Sequence, residues 1–260
     1  SLPMQTAAAA GLSLTDGVEP VHLAVYDQYM ARAGGYNDAS FNVTIPKFTG
    51  PLETSLKDVE PNLKLLGLLN VAYLVSAFPM AWPGLTLEKE VEGSFIYRNG
   101  QALPRAWVVH QAVPAEANWL AQLEALPDPA NMAIVENPPK SVETLNIQPS
   151  TVKITHYAAD RIEIETEIVE PGWLVLSEIW YPGWQATVNG AAKPVERVNG
   201  LLRGLYLSQP GSYQITLAYR PGSVIWGNWI SGITAVMIGA GVLARWWAKR
   251  SSSNTQGQLQ

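Results

Sequence analysis

Trp180-Tyr181-Pro182-Gly183-Trp184 is the run in this chain whose residue types and spacing most invite chemistry. Aromatic rings in a turn that bears Pro and Gly could stand exposed and stack face-on against sugar rings. The same rings could instead plug a core where a strand bends, because large aromatic side chains are highly buried on average. Sequence alone leaves Trp180, Tyr181 and Trp184 open to either role.

Other groups capable of chemistry are scattered. His22, His110 and His156 lie far apart, with no HExxH spacing and no carboxylate at a ligand-like offset. Glu163, Glu165 and Glu167 would share one face of a strand and could bind calcium only if further ligands converged on them; alone they read as a solvated face. No GxSxG, phosphate-binding loop or dinucleotide fingerprint occurs. Neither a catalytic residue nor a metal site nor a cofactor is expected.

The 260 residues carry a formal net charge of −5, which argues against a broad electrostatic attraction to nucleic acid. Charged residues are only 15% of the chain, and ten are Trp, a balance that leans towards a membrane or a sugar-facing surface. With no cysteine, disulfides and thiolate metal sites are excluded.

The elements that would position these groups fall into an α+β pattern. A helix is predicted over Pro20–Ala33, where Leu23, Tyr26, Tyr29 and Met30 recur at helical spacing and Gly34-Gly35 stops it. Residues 37–61 read as loop. A short helix over Pro61–Leu69 leads into a buried strand at Asn70–Ser76. Strands follow at Leu85–Val91, Ser94–Arg98 and Arg105–His110, then an amphipathic helix at Glu116–Leu126 and a strand at Asn131–Glu136. Residues 1–147 are thus expected to form a mixed α/β subdomain.

Beyond Pro138-Pro139 and Gln148–Ser150 the pattern becomes all-β, and residues 148–222 are expected to form a β-sandwich of about six strands. These are Val152–His156, Arg161–Val169, Trp173–Ile179, Gln185–Val188, Leu201–Leu207 and Ser212–Tyr219. Asn189-Gly190 and Asn199-Gly200 mark turns, since both residue types tolerate positive φ.

Val224–Ala244 holds 21 residues without a charge. As a helix it would reach roughly 30 Å, the thickness of a bilayer's hydrocarbon core. Trp226 and Trp229 flank one end and Trp246 and Trp247 the other, where indole rings favour the headgroup level. A transmembrane helix over 223–247 is predicted, with a polar tail at 248–260. All 22 acidic residues precede it, against 14 basic ones, whereas the C-terminal flank holds Arg245, Lys249 and Arg250. The positive-inside rule then puts the tail in the cytoplasm and the bulk of the chain outside. An exported N-terminal region needs a signal, and residues 1–20 show no basic segment followed by an apolar one. The expectation is that upstream transmembrane helices of a longer parent do the exporting.

The run Leu176–Gly227 resembles the C-terminal end of the YfhO-like bacterial membrane proteins. It carries an aromatic Tyr181–Trp184 turn, an N-G-L-x-R segment at Asn199–Arg203, and a Y-R-P step at Tyr219–Pro221 directly before the last membrane helix. Leu65–Ser76, Asn99–Val109 and Gly17–Met30 fit the same order. The resemblance implies a polytopic parent similar to C-type glycosyltransferases, which would use polyprenyl-phosphate-linked sugars to decorate cell-envelope polymers of a bacterium. It also implies that the catalytic acids lie in loops between early membrane helices, outside this chain. The expected partners are the lipid bilayer, the parent's upstream helices, and an envelope glycan or a polyprenyl-phosphate sugar. The alternative is a membrane-anchored, non-enzymatic β-sandwich that binds glycan through the aromatic turn. A weaker third reading is a structural clamp, its helix packing on sister helices through Gly227, Gly232, Gly239 and Gly241.

Overall fold

The computed structural model describes residues 10–15, 23–36, 50–138 and 150–255. Helix α1 covers Ala24–Ala33. It ends where Gly35 takes φ 80° and the amide of Tyr36 donates to the carbonyl of Ala31. Residues 20–22, where the predicted helix began, and His22 with them, lie outside the described residues. Tyr29 and Met30 point inward, as their spacing predicts, and the Tyr29 hydroxyl donates to the Leu65 carbonyl at 2.7 Å.

Two short helices follow, α2 (Leu52–Leu56) and α3 (Leu63–Leu68). The first falls in the stretch read as loop, the rest of which up to residue 49 lies largely outside the described residues. Pro51 caps α2 with φ −63° instead of breaking it, which is how proline acts at a helix start. In α3, Asn62 accepts the amide of Leu65 as N-cap. Gly67 is needed there, since a Cβ would lie 2.0 Å from the carbonyl oxygen of Gln101.

Strands β1 (Tyr73–Ser76), β2 (Leu85–Val91) and β3 (Ser94–Asn99) form an antiparallel three-stranded sheet in the order β1-β3-β2. The Asn70–Ser76 segment differs from its prediction. Its strand is shorter, it lies at the sheet edge, and Tyr73 and Val75 face outward, uncovered by the described residues. Apolar content fixed strand type here but not burial.

The remaining strands build a sandwich. β4 (Ala106–Val109), β5 (Gln111–Pro114), helix α4 (Trp119–Ala125) and β6 (Met132–Val135) come first. β7 (Thr151–Tyr157), β8 (Arg161–Ile168), β9 (Gly172–Ile179), β10 (Trp184–Val188), β11 (Ala191–Lys193), β12 (Glu196–Val198), β13 (Leu202–Leu207) and β14 (Gly211–Tyr219) follow. One sheet runs β11-β10-β14-β8-β7; the other runs β4-β9-β13-β12-β6-β5, with β5 and β6 parallel across the α4 crossover. The fold is α+β with a sandwich, as the sequence pattern indicates.

The expected boundary at residue 148 does not separate the sheets. β4, β5 and β6 precede it, yet they share a sheet with β9, β12 and β13. The physical reason is β9, whose alternate residues are buried on both faces. Trp173 and Val175 join a core shared with α1, α3 and α4, while Leu174 and Leu176 join the core between the sheets. A strand apolar on both sides must be covered on both sides. In β8 the alternation is one-sided: Ile162, Ile164 and Ile168 are buried, and Glu163, Glu165 and Glu167 lie on the opposite face.

Helix α5 (Gly222–Thr255) begins two residues after β14. Its Gly222–Trp247 stretch is long and apolar enough to cross a membrane, and its apolar window is not buried against the described residues. The helix continues to Thr255, through the first part of the segment predicted as a polar tail; residues 256–260 lie outside the described residues.

Burial raises the Tyr29 phenol well above its ordinary pKa. The unfolded chain releases that proton near pH 10 and the folded chain keeps it, so Tyr29 stabilises fully below about pH 10 and loses that contribution above it. Tyr29→Phe is expected to cost about 1 kcal/mol at neutral pH and to flatten the alkaline decline in stability, read from urea midpoints of the detergent-solubilised chain.

Candidate functional site

The aromatic turn links β9 to β10 at the end of the sandwich from which α5 departs. The Trp180 amide donates to the Leu201 carbonyl at 2.8 Å, which ties the turn to the neighbouring loop. Gly183 adopts φ 108°, and a Cβ there would meet Tyr219 Cε2 at 3.0 Å and Pro221 Cα at 3.1 Å. Only glycine combines that conformation with so close an approach. Its carbonyl accepts the Arg220 amide at 2.7 Å, and Trp184 pairs with Tyr219 across β10 and β14. The turn is therefore fastened to the last residues before the apolar helix.

Each tryptophan already has a partner on its ring. The Arg197 guanidinium carbon stands 4.7 Å above Trp180, whose indole N–H donates to the Val195 carbonyl at 3.0 Å. Arg203 lies 3.7 Å over Trp184, and Tyr219 tilts against that ring at 5.5 Å between centroids. Both tryptophans are half-buried. Tyr181 is different: it is 46% exposed and touches Tyr219 at 6.4 Å. The structure thus brings Tyr181 and Trp184 together around Tyr219 and sets Trp180 apart on Arg197.

Behind the turn sits a charged cluster that periodicity did not reveal. Arg203 is 7% exposed, its Nε donates to the Ile179 carbonyl at 2.9 Å, and its Nη1 is buried with no hydrogen-bond partner. Burial pushes its pKa down to about 10, against the opposing pull of Glu178 and Tyr157. A guanidinium at that value remains charged at neutral pH, so the fold holds a buried cation. Glu178 Oε1 accepts from Tyr157 at 2.6 Å and from Arg105 at 3.0 Å, and the Arg105 guanidinium lies 4.7 Å over the Tyr157 ring. Burial first, and then the hydrogen bond to Glu178, raises the Tyr157 pKa; Arg105 opposes the rise. Between β13 and β9 the register shifts at Leu202/Arg203, leaving Ser177 and Glu178 as extra residues on β9. Such a bulge re-aims side chains at a sheet end.

A legible signal for Arg203 did exist. It is the lone charge in the apolar strand LLRGLYL, and a charge inside a buried run needs a partner. Glu178, Tyr157 and Arg105 come from three separate strand ends, and no local pattern joins them.

The remaining candidates do not converge. His110 Nδ1 lies 3.0 Å from the Pro171 carbonyl at the opposite end of β9, whereas His156 sits exposed on β7. Glu163 binds Arg161, and Glu165 stands across from Lys153 and Gln214. Among the described residues no group of three or more His, Asp or Glu could hold a metal ion. A cavity of about 480 Å³ beside α1 and α3 has Arg32 and Glu124 paired on its wall at 2.5 Å, and Lys64 bound to the carbonyls of Glu124 and Leu126. Those groups lock helices to one another.

No protein-family model, curated protein or solved structure matches the chain.

The cluster makes an asymmetric prediction. Glu178→Gln removes the carboxylate that serves Arg105, Tyr157 and Arg203, and should lower stability by roughly 1–3 kcal/mol. Arg203→Met keeps the stem's volume without its charge and should be nearly neutral; combined with Glu178→Gln it should restore part of the loss. Urea denaturation of the four chains gives the coupling directly, and strictly additive effects would show that the two residues do not interact.

Proposed function

We propose that this chain is the outer, membrane-anchored end of a polytopic bacterial envelope glycosyltransferase of the YfhO-like kind. The sandwich stands outside the cell and α5 crosses the membrane with Arg245, Lys249 and Arg250 on the cytoplasmic side. In this reading the catalytic acids belong to loops between upstream membrane helices of the parent. The sandwich would border the entrance to that site, where a polyprenyl-phosphate sugar meets its acceptor glycan. The observation that carries the proposal is α5 itself, a helix with an uncharged 21-residue core and no cover from the described residues, followed by a basic, acid-free flank. The order of the Tyr181–Trp184, Asn199–Arg203 and Tyr219–Pro221 segments before it supports the family reading.

Glycan binding by the aromatic turn alone draws less support. A guanidinium already covers a face of Trp180 and of Trp184, and sugar stacking needs a free face. The small residues Gly227, Gly232, Gly239 and Gly241 have no neighbour within 4 Å of a Cβ built on them, which suits packing against the parent's other helices.

Two measurements test the proposal. A cysteine placed at Asn189 should react with an impermeant maleimide on intact cells, and one at Ser252 only after permeabilisation; the reverse pattern overturns the orientation. Excising residues 1–222 from the full-length parent should abolish one sugar modification of the envelope polymers, seen by mass spectrometry of released glycans. Unchanged glycan composition would overturn the enzymatic assignment.

A further inference from the structure

We infer that the end of the sandwich carrying the aromatic turn rests on the bilayer surface, with Tyr181 seated in the headgroup layer of the leaflet that α5 enters. The inference depends on the reading of α5 as a span and adds a second, non-helical membrane contact to it.

Chain continuity is the first ground. β14 ends at Tyr219 and α5 starts at Gly222, so only Arg220 and Pro221 lie between sheet and helix. Neither is free to act as a hinge. The Arg220 amide is bound to the Gly183 carbonyl at 2.7 Å, proline fixes its own φ, and the Val224 amide donates back to the Pro221 carbonyl at 3.1 Å. A linker this short and this constrained cannot hold the sandwich away from the membrane.

Depth is the second ground. Trp226 and Trp229 are 70% and 66% exposed and stand where indoles mark the lipid–water boundary. Trp226 lies four residues beyond Gly222, about 6 Å along the helix axis. That places the Tyr181–Trp184 turn, bonded to Arg220 and packed on Pro221, at the level of the lipid headgroups. A headgroup layer is several ångströms thick on each leaflet, ample to take in a turn at that height.

Chemistry is the third ground. Tyr181 is left half in solvent while its two tryptophan neighbours are packed, and an exposed tyrosine with an apolar body and a polar tip suits that layer. Tyr157, 48% exposed, lies at the same end of the sandwich, and Arg220 is exposed beside the turn, where a phosphate could accept from it. The occupant is therefore the phospholipid surface.

The test uses the full chain in vesicles of phosphatidylcholine and phosphatidylglycerol, and the cysteine-free sequence allows single-site labelling. An environment-sensitive fluorophore is attached at Tyr181→Cys, at Trp226→Cys in the helix, and at Ser208→Cys at the far end of the sandwich. β14 is 9 residues long, which puts the far end about 26 Å from the turn at roughly 3.3 Å per residue. With lipids carrying a quencher just below the headgroups, positions 226 and 181 should be quenched several-fold more than 208. Quenching at 226 with 181 no different from 208 overturns the inference and leaves the span standing. Absence of quenching at 226 removes the span, and this contact with it. Pro182→Cys, also at an exposed position, repeats the measurement should Tyr181→Cys disturb the fold.

Discussion

Strand β9 has to be buried on both faces at once, and most of the architecture follows from meeting that demand. Trp173 and Val175 press against the helical layer, and Leu174 and Leu176 against the facing sheet. Each such side chain contributes roughly 1.5–3 kcal/mol when fully withdrawn from water. Their backbone needs partners too, and β4 on one side and β13 on the other supply them in antiparallel register. Helices on one side of the strand and a sheet on the other are thus joined through one segment. The two halves of the chain are tied together by β9, whose residues belong to both cores.

The same sheet shows how a polar side chain can join distant segments more firmly than its length suggests. Asn199 is fully buried in the Asn-Gly turn, where its backbone N–H donates to the Ile134 carbonyl and its side-chain Oδ1 accepts the Ile134 backbone N–H, both at 2.8 Å. β6 and β12 share a single registered pair, Val135 with Val198, so this side chain extends a ladder that the backbone alone leaves short. Polar burial is only half satisfied here: the Asn199 Oδ1 is bonded, whereas its Nδ2 is buried without a hydrogen-bond partner among the described residues. The Arg203 Nη1 is likewise buried without a partner among the described residues. Its charge is balanced by Glu178 and by the face of Trp184, an arrangement that fixes how the sandwich end closes.

That closed end is also where the chain leaves the sandwich for its apolar helix. A long linker would let the sandwich move independently of the helix; a two-residue link, with the Arg220 amide bonded to the Gly183 carbonyl, restrains that motion. For a protein proposed to stand beside a membrane-embedded catalytic site, such stiffness fixes the height and orientation of its outer surface. The Trp180–Trp184 turn sits where sandwich and helix meet, packed on its protein side and exposed at Tyr181.

Local physical patterns in the sequence determined a good deal. Period-two alternation marked β8 and β14, Asn-Gly steps marked two turns, and an uncharged 21-residue run marked α5. These depend only on neighbours along the chain, because strand faces, turn dihedrals and span length are set within a few residues. The short strands β5, β11 and β12 were not legible: β11 and β12 pair across the adjacent Asn-Gly turns but hold three residues each, too few for a period, and β5 gains its strand state from β6 across the α4 crossover. Which sheet each strand joins, the exposure of Val75 and the assembly of Arg105, Tyr157, Glu178 and Arg203 belonged to tertiary structure alone. The aromatic turn divides along the same line. Its residue types were plain from the sequence, but whether each ring faces sugar, lipid or a guanidinium depended on what the rest of the fold packs beside it.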